Sequence, residues 1–499
     1  MKTRPRFIFL WIGLVAFVAS MLANGIVGWA TPAQNRWRDT VTTPAPIYLP
    51  FVAKNYMAPA PLWRFGAAKA RRPLEDYIQT DPNQIIGLRL GWYVDWTVAM
   101  NAPEPYGMEY VPIVRLKQWK LQDGSTWTTC CVECPYVQVN GQYTYTVSPD
   151  LNMIRSIAVA RPGKLWVIGN EIERVDWATG SGYCNRQDEM LPEVYAEAYH
   201  DIRQAILDAD STARFAIGGV IQATPLRLEY LNRIWNAYQQ KYGTEMPVDV
   251  WNVHAFVLRE EKGSWGADIP AGINATQGQL YEVLDNRNFA IAWGHIRAMR
   301  DWMRAKGRQN KPLIITEYGV NMPPHFEGFS PEEVRDHFMY LSFNSFLNQT
   351  DTNLGYSADG YRLVQRWNWY SLDDDSGYYE GNQYRQFYNG NLLYSDLGGQ
   401  PQGLSPLGVY WQQYVQALPP ASEPPYVLTT RLPRIDNEES QWSVAPVSEQ
   451  ADAHCDGRRI RLVFVEPAPS GASLAGITTE KPVGSVIREE RICLPSADQ

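Results

Sequence analysis

An α/β protein built on a (β/α)8 barrel is what the sequence predicts, on three observations. Between two proline-rich breaks, runs of strand-forming residues alternate with segments of helical period. The runs number eight, the count of a closed parallel barrel. The helical segments also have legible ends.

The expected strands are residues 62–66, 85–93, 110–116, 165–169, 214–218, 248–254, 313–316 and 363–369. The first, "LWRFG", carries the weakest strand signal, and without it the pattern fits an open α/β sheet. Among the helices, "LPEVYAEAYHDIRQAILDAD" places Pro192 at its first position and repeats Tyr195, Tyr199, Ile202 and Ile206 on one face. "TPLRLEYLNRIWNAYQQKYG" ends at Gly243, a suitable C-cap. "SPEEVRDHFMYLSFNSFL" opens with a capping box, Ser330 and Glu333. "LSPLGVYWQQYV" closes the set. The connection over 117–164 is too long for one helix and implies an inserted hairpin holding a cysteine cluster.

The N-terminus carries Lys2, Arg4 and Arg6 before an apolar run from Phe7 to about Ala23, the pattern of an export signal or an uncleaved anchor. The expected division is a signal or membrane anchor at 1–30, a Pro-rich linker at 31–61 and the barrel at 62–418. A second Pro-rich linker follows at 419–433, then a small β-rich module or tail at 434–499. An exported chain favours disulfides among its 6 cysteines. Cys455 and Cys493 are expected to pair, and Cys130, Cys131, Cys134 and Cys184 have three possible pairings. Cys131 and Cys134 also have zinc-ligand spacing, although no second ligand pair follows.

Composition narrows the function. Hydrophobic residues at 45% and charged residues at 20% describe a globular chain rather than a disordered one. A net charge of −8 without a basic block argues against a nucleic-acid partner. The 19 Trp and 29 Tyr suit sugar rings, as they also suit the packing of a large barrel. No phosphate loop or nucleophile elbow occurs, and His295, His325 and His337 lack metal spacing. "DDDSG" at 373–377 lacks the rest of a calcium loop and reads as a solvated loop.

In a parallel barrel the chemistry sits where strands end. "KLWVIGNE" puts Glu171 at the end of the fourth strand, and "KPLIITEYG" puts Glu317 at the end of the seventh. Two carboxylates on one barrel face meet the needs of glycoside hydrolysis, one to protonate the leaving oxygen and one to attack or to activate water. His254 ends the sixth strand. Arg89 and Trp92 lie in "IIGLRLGWYVDW", with Trp96 at its exit. Trp367 and Trp369 share one face of the eighth strand.

"GNE" and "ITEYG" at these strand ends resemble the clan A glycoside hydrolases, over roughly residues 62–417. "GLRLGWYVDW" is also similar to a first motif of fungal-type β-glucanases in that clan. The resemblance implies a retaining enzyme acting on β-linked glycans with no metal or organic cofactor. By it, Glu171 is the acid/base and Glu317 the nucleophile, with Asn170 contacting the 2-hydroxyl and His254 near the nucleophile. It also makes Trp369, or Trp367, the floor under the reacting sugar. Apart from the resemblance, Arg89 inside the expected second strand calls for a carboxylate partner, the nucleophile among the candidates, and Trp92 stands at that strand's exit as a substrate contact. The rival expectation is a barrel that binds carbohydrate, or serves as a surface interaction scaffold, without turnover.

Overall fold

The computed structural model describes residues 62–418, apart from 70–71, 130, 132–133, 176–186, 321, 375–376, 381–382, 387–389 and 396–400, together with strands at 459–465 and 486–493. The expected signal and both linkers lie outside the described residues. So does Cys455, and with it the expected Cys455–Cys493 pair. Within 434–499, Arg459–Val465 and Val486–Cys493 form one antiparallel hairpin.

Eight parallel strand positions follow one another around a ring. They are β1 (Phe65–Ala68), β2 (Trp92–Tyr93), β3 (Glu109–Tyr110 continuing as Ile113–Gln118), β4 (Leu165–Asn170), β5 (Arg214–Gly219), β6 (Trp251–Val253), β7 (Leu313–Tyr318) and β8 (Arg366–Tyr370). The sheet runs β6-β7-β8-β1-β2-β3, resumes past the break in β3 as β3-β4-β5, and closes through the bridges Ala216↔Val250 and Val220↔Val253. Phe65↔Trp367 seals β8 to β1. The break in β3 falls at Pro112, which has no N–H to give a ladder, while its carbonyl still accepts from Val167 N at 3.0 Å.

Alternation along the strands separates two apolar layers. Ala68, Trp92, Val94, Val111, Ile113, Leu165, Val167, Ala216, Val250 and Ile314 fill the barrel interior. Their neighbours in sequence, including Phe65, Trp166, Phe215, Trp251, Leu313, Trp367 and Trp369, face the helices. Those helices are α1 (Leu74–Thr80), α2 (Pro82–Leu88), α3 (Leu151–Ala160), α4 (Pro192–Ala209), α5 (Pro225–Tyr242), α6 (Phe289–Ala305), α7 (Pro331–Val334, running through a π-turn at Arg335–Met339 into Tyr340–Asn348) and α8 (Pro406–Ala417). Gly243 caps α5 in the left-handed region, and the Ser330–Glu333 box is formed.

The largest correction concerns the second strand. Residues 85–88, expected as the start of that strand, belong instead to a helix over Pro82–Leu88. Asp81 accepts from Asn83 N as N-cap, Pro82 occupies the first turn, and Arg89 ends the helix with φ 49°. Only Trp92 and Tyr93 remain as strand. The first strand is also displaced, since Leu62–Arg64 form a 3-10 turn before it. The connection after β3 does hold an insertion. Tyr145–Ser148 pairs antiparallel with the outer half of β3, next to the short hairpins Lys120–Gln122/Thr126–Thr128 and Gln138–Val139/Gln142–Tyr143. Cys131 and Cys134 are disulfide-bonded to each other, which removes them as zinc ligands.

Candidate active site

The exit of β4 explains the Gly-Asn-Glu sequence. Gly169 takes φ +90°, and a Cβ there would stand 2.4 Å from Ile172 Cγ2. Asn170 is pinned through its backbone, its N–H donating to Asp188 Oδ2 at 2.9 Å, while Arg115 and Leu116 N from β3 hold the same carboxylate. Glu171 then turns into the left-handed region at φ 47°, its N–H donating to Gly219 O at 2.9 Å. For a residue with a Cβ that conformation is strained and persists only where the surroundings impose it. Gly219 does a second job, because a Cβ on it would lie 2.6 Å from the His254 ring.

Glu171, His254 and Glu317 come together at one end of the barrel, all three buried. Their nearest ligand atoms lie within 4.8 Å of one another. His254 bridges the pair, with Nδ1 3.3 Å from Glu171 Oε1 and Nε2 3.8 Å from Glu317 Oε1. Its Nε2 is also 3.0 Å from Thr316 Oγ1, whose hydroxyl in turn donates to Asn252 Oδ1 at 3.0 Å. Trp96 donates its Nε1–H to Glu317 Oε1 at 2.5 Å. Arg174, three residues past Glu171, donates to Glu171 Oε2 at 2.9 Å and to Gly266 O at 3.2 Å. The Asn170 side-chain amide makes no hydrogen bond to another described residue, so its donors and acceptor are open to a ligand.

The two carboxyls are tuned apart. Burial is the largest influence on Glu317 and pushes it up; His254 opposes this, repulsion from Glu171 adds to it, and the group ends at about 7. Burial also acts upward on Glu171, but Arg174 and His254 outweigh it and hold that carboxyl low, at about 2. His254 is raised despite burial, chiefly by Glu317 and then by Glu171. Below about pH 7 the proton is therefore favoured on Glu317 over Glu171, the better supported of two close carboxyls staying ionised.

A zinc ion would be a poor fit to this trio. With bonds of about 2.0–2.2 Å, tetrahedral ligand atoms lie within about 3.5 Å of one another. His254 Nε2 stands 3.8 Å from Glu317 Oε1, and both ring nitrogens of His254 already face protein acceptors.

Four expected site residues are placed elsewhere. Arg89 caps α2 rather than sitting in the barrel wall. Trp92 is fully buried inside the barrel, donating to Arg64 O at 3.1 Å with the Arg366 guanidinium 4.4 Å from its ring centroid. Trp367 packs on Phe65 and Phe346, and Trp369 on Tyr318 and Phe338, so both face the helices and neither can floor a sugar. The residues they alternate with point inward. Tyr370 meets Trp96 at 5.9 Å and Phe256 at 6.0 Å between ring centroids, and these three form an aromatic wall beside the carboxyl pair. Asp373 and Asp374, expected in solvent, are buried. Asp373 accepts from Tyr77 Oη at 2.8 Å and Asp374 accepts from Tyr370 Oη.

No protein-family model matches the chain, and no curated protein is similar to it in sequence. Solved structures that superpose on it at low identity include glycoside hydrolases. The catalytic core of xylanase A is 12% identical, covering 70% of this chain and 97% of that one, with a TM-score of 0.39. GH5_18 from Streptomyces cattleya in complex with GlcNAc is 12% identical, over 71% and 79%, at 0.38. AbfB, a family 51 α-L-arabinofuranosidase from Bifidobacterium longum, is 12% identical, over 72% and 75%, at 0.36.

Proposed function

We propose that this chain is an exported glycoside hydrolase that cleaves β-linked glycans by double displacement, with Glu171 as acid/base and Glu317 as nucleophile. The observation that carries the reading is the carboxyl pair at the ends of β4 and β7, with oxygens no more than 4.8 Å apart. A retaining pair stands about 5–5.5 Å apart, whereas an inverting pair needs about 6.5–9.5 Å to admit water. Glu171 protonates the glycosidic oxygen as the C–O bond breaks, and Glu317 forms the glycosyl ester. Glu171 then takes a proton from the water that hydrolyses that ester, releasing Glu317. Asn170 supports the sugar through its open amide, and Trp96 steadies the departing carboxylate. Export is supported by Lys2, Arg4 and Arg6 ahead of the apolar run, and a mature chain recovered only from the cytoplasm would refute it.

A second reading, with the roles exchanged, is favoured by Glu171 being paired with Arg174 and His254, which hold it ionised while burial raises Glu317. One experiment addresses both readings. Reducing-sugar release is measured on β-glucans, xylans and mannans, and the enzyme is then trapped with a 2-deoxy-2-fluoro glycoside of the responding sugar. A label on Glu317 supports the first assignment, a label on Glu171 the exchanged one. No release from any polymer, with binding to one of them, sinks hydrolysis altogether.

The aromatic wall gives a separate prediction. Tyr370→Ala should lower kcat/KM by about 10-fold and, because buried Asp374 loses a hydrogen bond, cost about 1–3 kcal/mol of stability. Trp369→Ala should cost more, about 3–5 kcal/mol of stability. Kinetics beside thermal melts of both variants would check this, and the reverse pattern would return the sugar floor to Trp369.

A further inference from the structure

Arg174 has no part in the double displacement as described, yet it makes one of the closest polar contacts to the acid/base. Its Nη1 donates to Glu171 Oε2 at 2.9 Å, and its Nη2 reaches Gly266 O at 3.2 Å, which ties the loop after β4 to the loop after β6. The arginine side chain is 12% exposed and the glutamate 4%, so the pair stands at the edge of the cavity, largely shielded from water. As long as this contact lasts, Glu171 is an acceptor for Arg174 and has no proton to give.

We infer that Arg174 is a specificity-determining residue whose guanidinium exchanges the Glu171 carboxylate for a carboxylate on the leaving-group sugar, so that the substrate class is a β-glycan with a uronosyl residue beside the scissile bond. The inference rests on the glycoside-hydrolase reading. Glu171 must face the glycosidic oxygen to protonate it, so what lies across Glu171 from Glu317 is the leaving sugar. A guanidinium drawn off a shielded carboxylate needs a partner of comparable strength. A neutral hydroxyl replaces a charge-assisted, directional contact with a weaker one, whereas a sugar carboxylate matches the planar fork of arginine. The exchange also leaves Glu171 without its cation, which is the condition for it to take up a proton. The recognition is local. A chain of net charge −8 gives a polyanion no long-range attraction, and fields are screened beyond about 8 Å in physiological salt.

The charged groups acting on the Glu171–His254–Glu317 trio from outside it come from two elements: Glu173 and Arg174 on the loop after β4, and Arg115 from β3. Of these, Arg115 is bound to Asp188 and Glu173 to Arg227, while within the trio His254 lies between the two glutamates. Arg174 is the cation among them whose carboxylate partner is Glu171 itself.

The test compares two oligosaccharides that differ only at the leaving-group sugar, one with a C5 carboxylate and one with a C5 hydroxymethyl. Wild type should favour the uronosyl substrate by about 10-fold or more, mainly in kcat. Arg174→Gln should erase that ratio and carry the alkaline limb of kcat/KM on the neutral substrate to higher pH. Arg174→Lys should restore part of the ratio. An equal ratio in wild type and Arg174→Gln, in proteins that melt alike, overturns the inference. If the neutral substrate is cleaved and Glu317→Gln is dead while the ratio stays flat, only the role of Arg174 falls. If wild type cleaves neither substrate, the hydrolase reading falls with it.

Discussion

Glu317→Gln is expected to lose turnover by a factor on the order of 10^3 or more and to become more stable than wild type above neutral pH. The loss follows from the amide, which can neither attack the anomeric carbon nor leave from it. It should hold even for aryl glycosides, whose leaving group needs no protonation. Glu171→Gln should keep the first step on those activated substrates and lose it on ordinary glycans, which separates the two roles. The stability gain follows from linkage. The folded Glu317 carboxyl sits at about 7 against 4.5 for the free group. Between those values the folded chain holds a proton that the unfolded chain has released, so wild-type stability falls as pH rises. Glutamine never ionises, yet its oxygen can still accept from Trp96. The variant's advantage should therefore be absent below about pH 4.5, open as pH rises to about 7 and stay level above it, with a ceiling of roughly 3 kcal/mol. Calorimetry at about pH 4 and pH 8 measures the gap, and an equal gap at both would mean that Glu317 carries no excess proton.

What could be read in the sequence was local, and what could not depended on which way a face points. Glu171, Asn170, His254 and Glu317 were all accessible because each ends a run of strand formers in a fold whose strand ends share one rim. Trp367 and Trp369 show the opposite case. A period of two places them on one face without saying which face looks inward, and the structure turns them to the helices and Tyr370 to the cavity. Residues 85–88 were read as strand because Ile85, Ile86 and Leu88 are apolar, though "DPNQ" just before them is a helix start, with Asp81 as cap and Pro82 in the first turn. Arg174 gave no signal. Its contact with Glu171 arises from the left-handed turn at Glu171, which no pattern of residue types announces. Arg227 did give one: it lies on the same helical face as Tyr230, Leu231 and Ile234, an odd place for a charge unless it is paired.

That arginine carries the second large effect. Arg227 is fully buried, donating to Glu173 Oε1 at 2.8 Å, to Glu260 Oε1, and to Ala267 O at 2.9 Å. Glu173 also accepts from Ile221 N at 2.9 Å, and Glu260 from Gln279 N at 2.9 Å and Thr224 Oγ1 at 2.5 Å. One guanidinium thus fastens the loops after β4, β5 and β6, the loops that follow Glu171, Gly219 and His254. Arg227→Met fills most of the volume and strands two buried carboxylates with no cation. The expected cost is about 3–5 kcal/mol, a large share of a typical margin of about 5–15 kcal/mol. Because breaking an ion cluster differs from replacing it, Arg227→Met combined with Glu173→Gln and Glu260→Gln should recover much of that loss. Denaturant melts of the single and triple variants make the comparison. If the single variant melts like wild type, the cluster is not a fastening. If the triple variant regains stability but not turnover, the charges themselves set the geometry of the β4 exit, and the left-handed turn at Glu171 depends on a cation on the helix after the neighbouring strand.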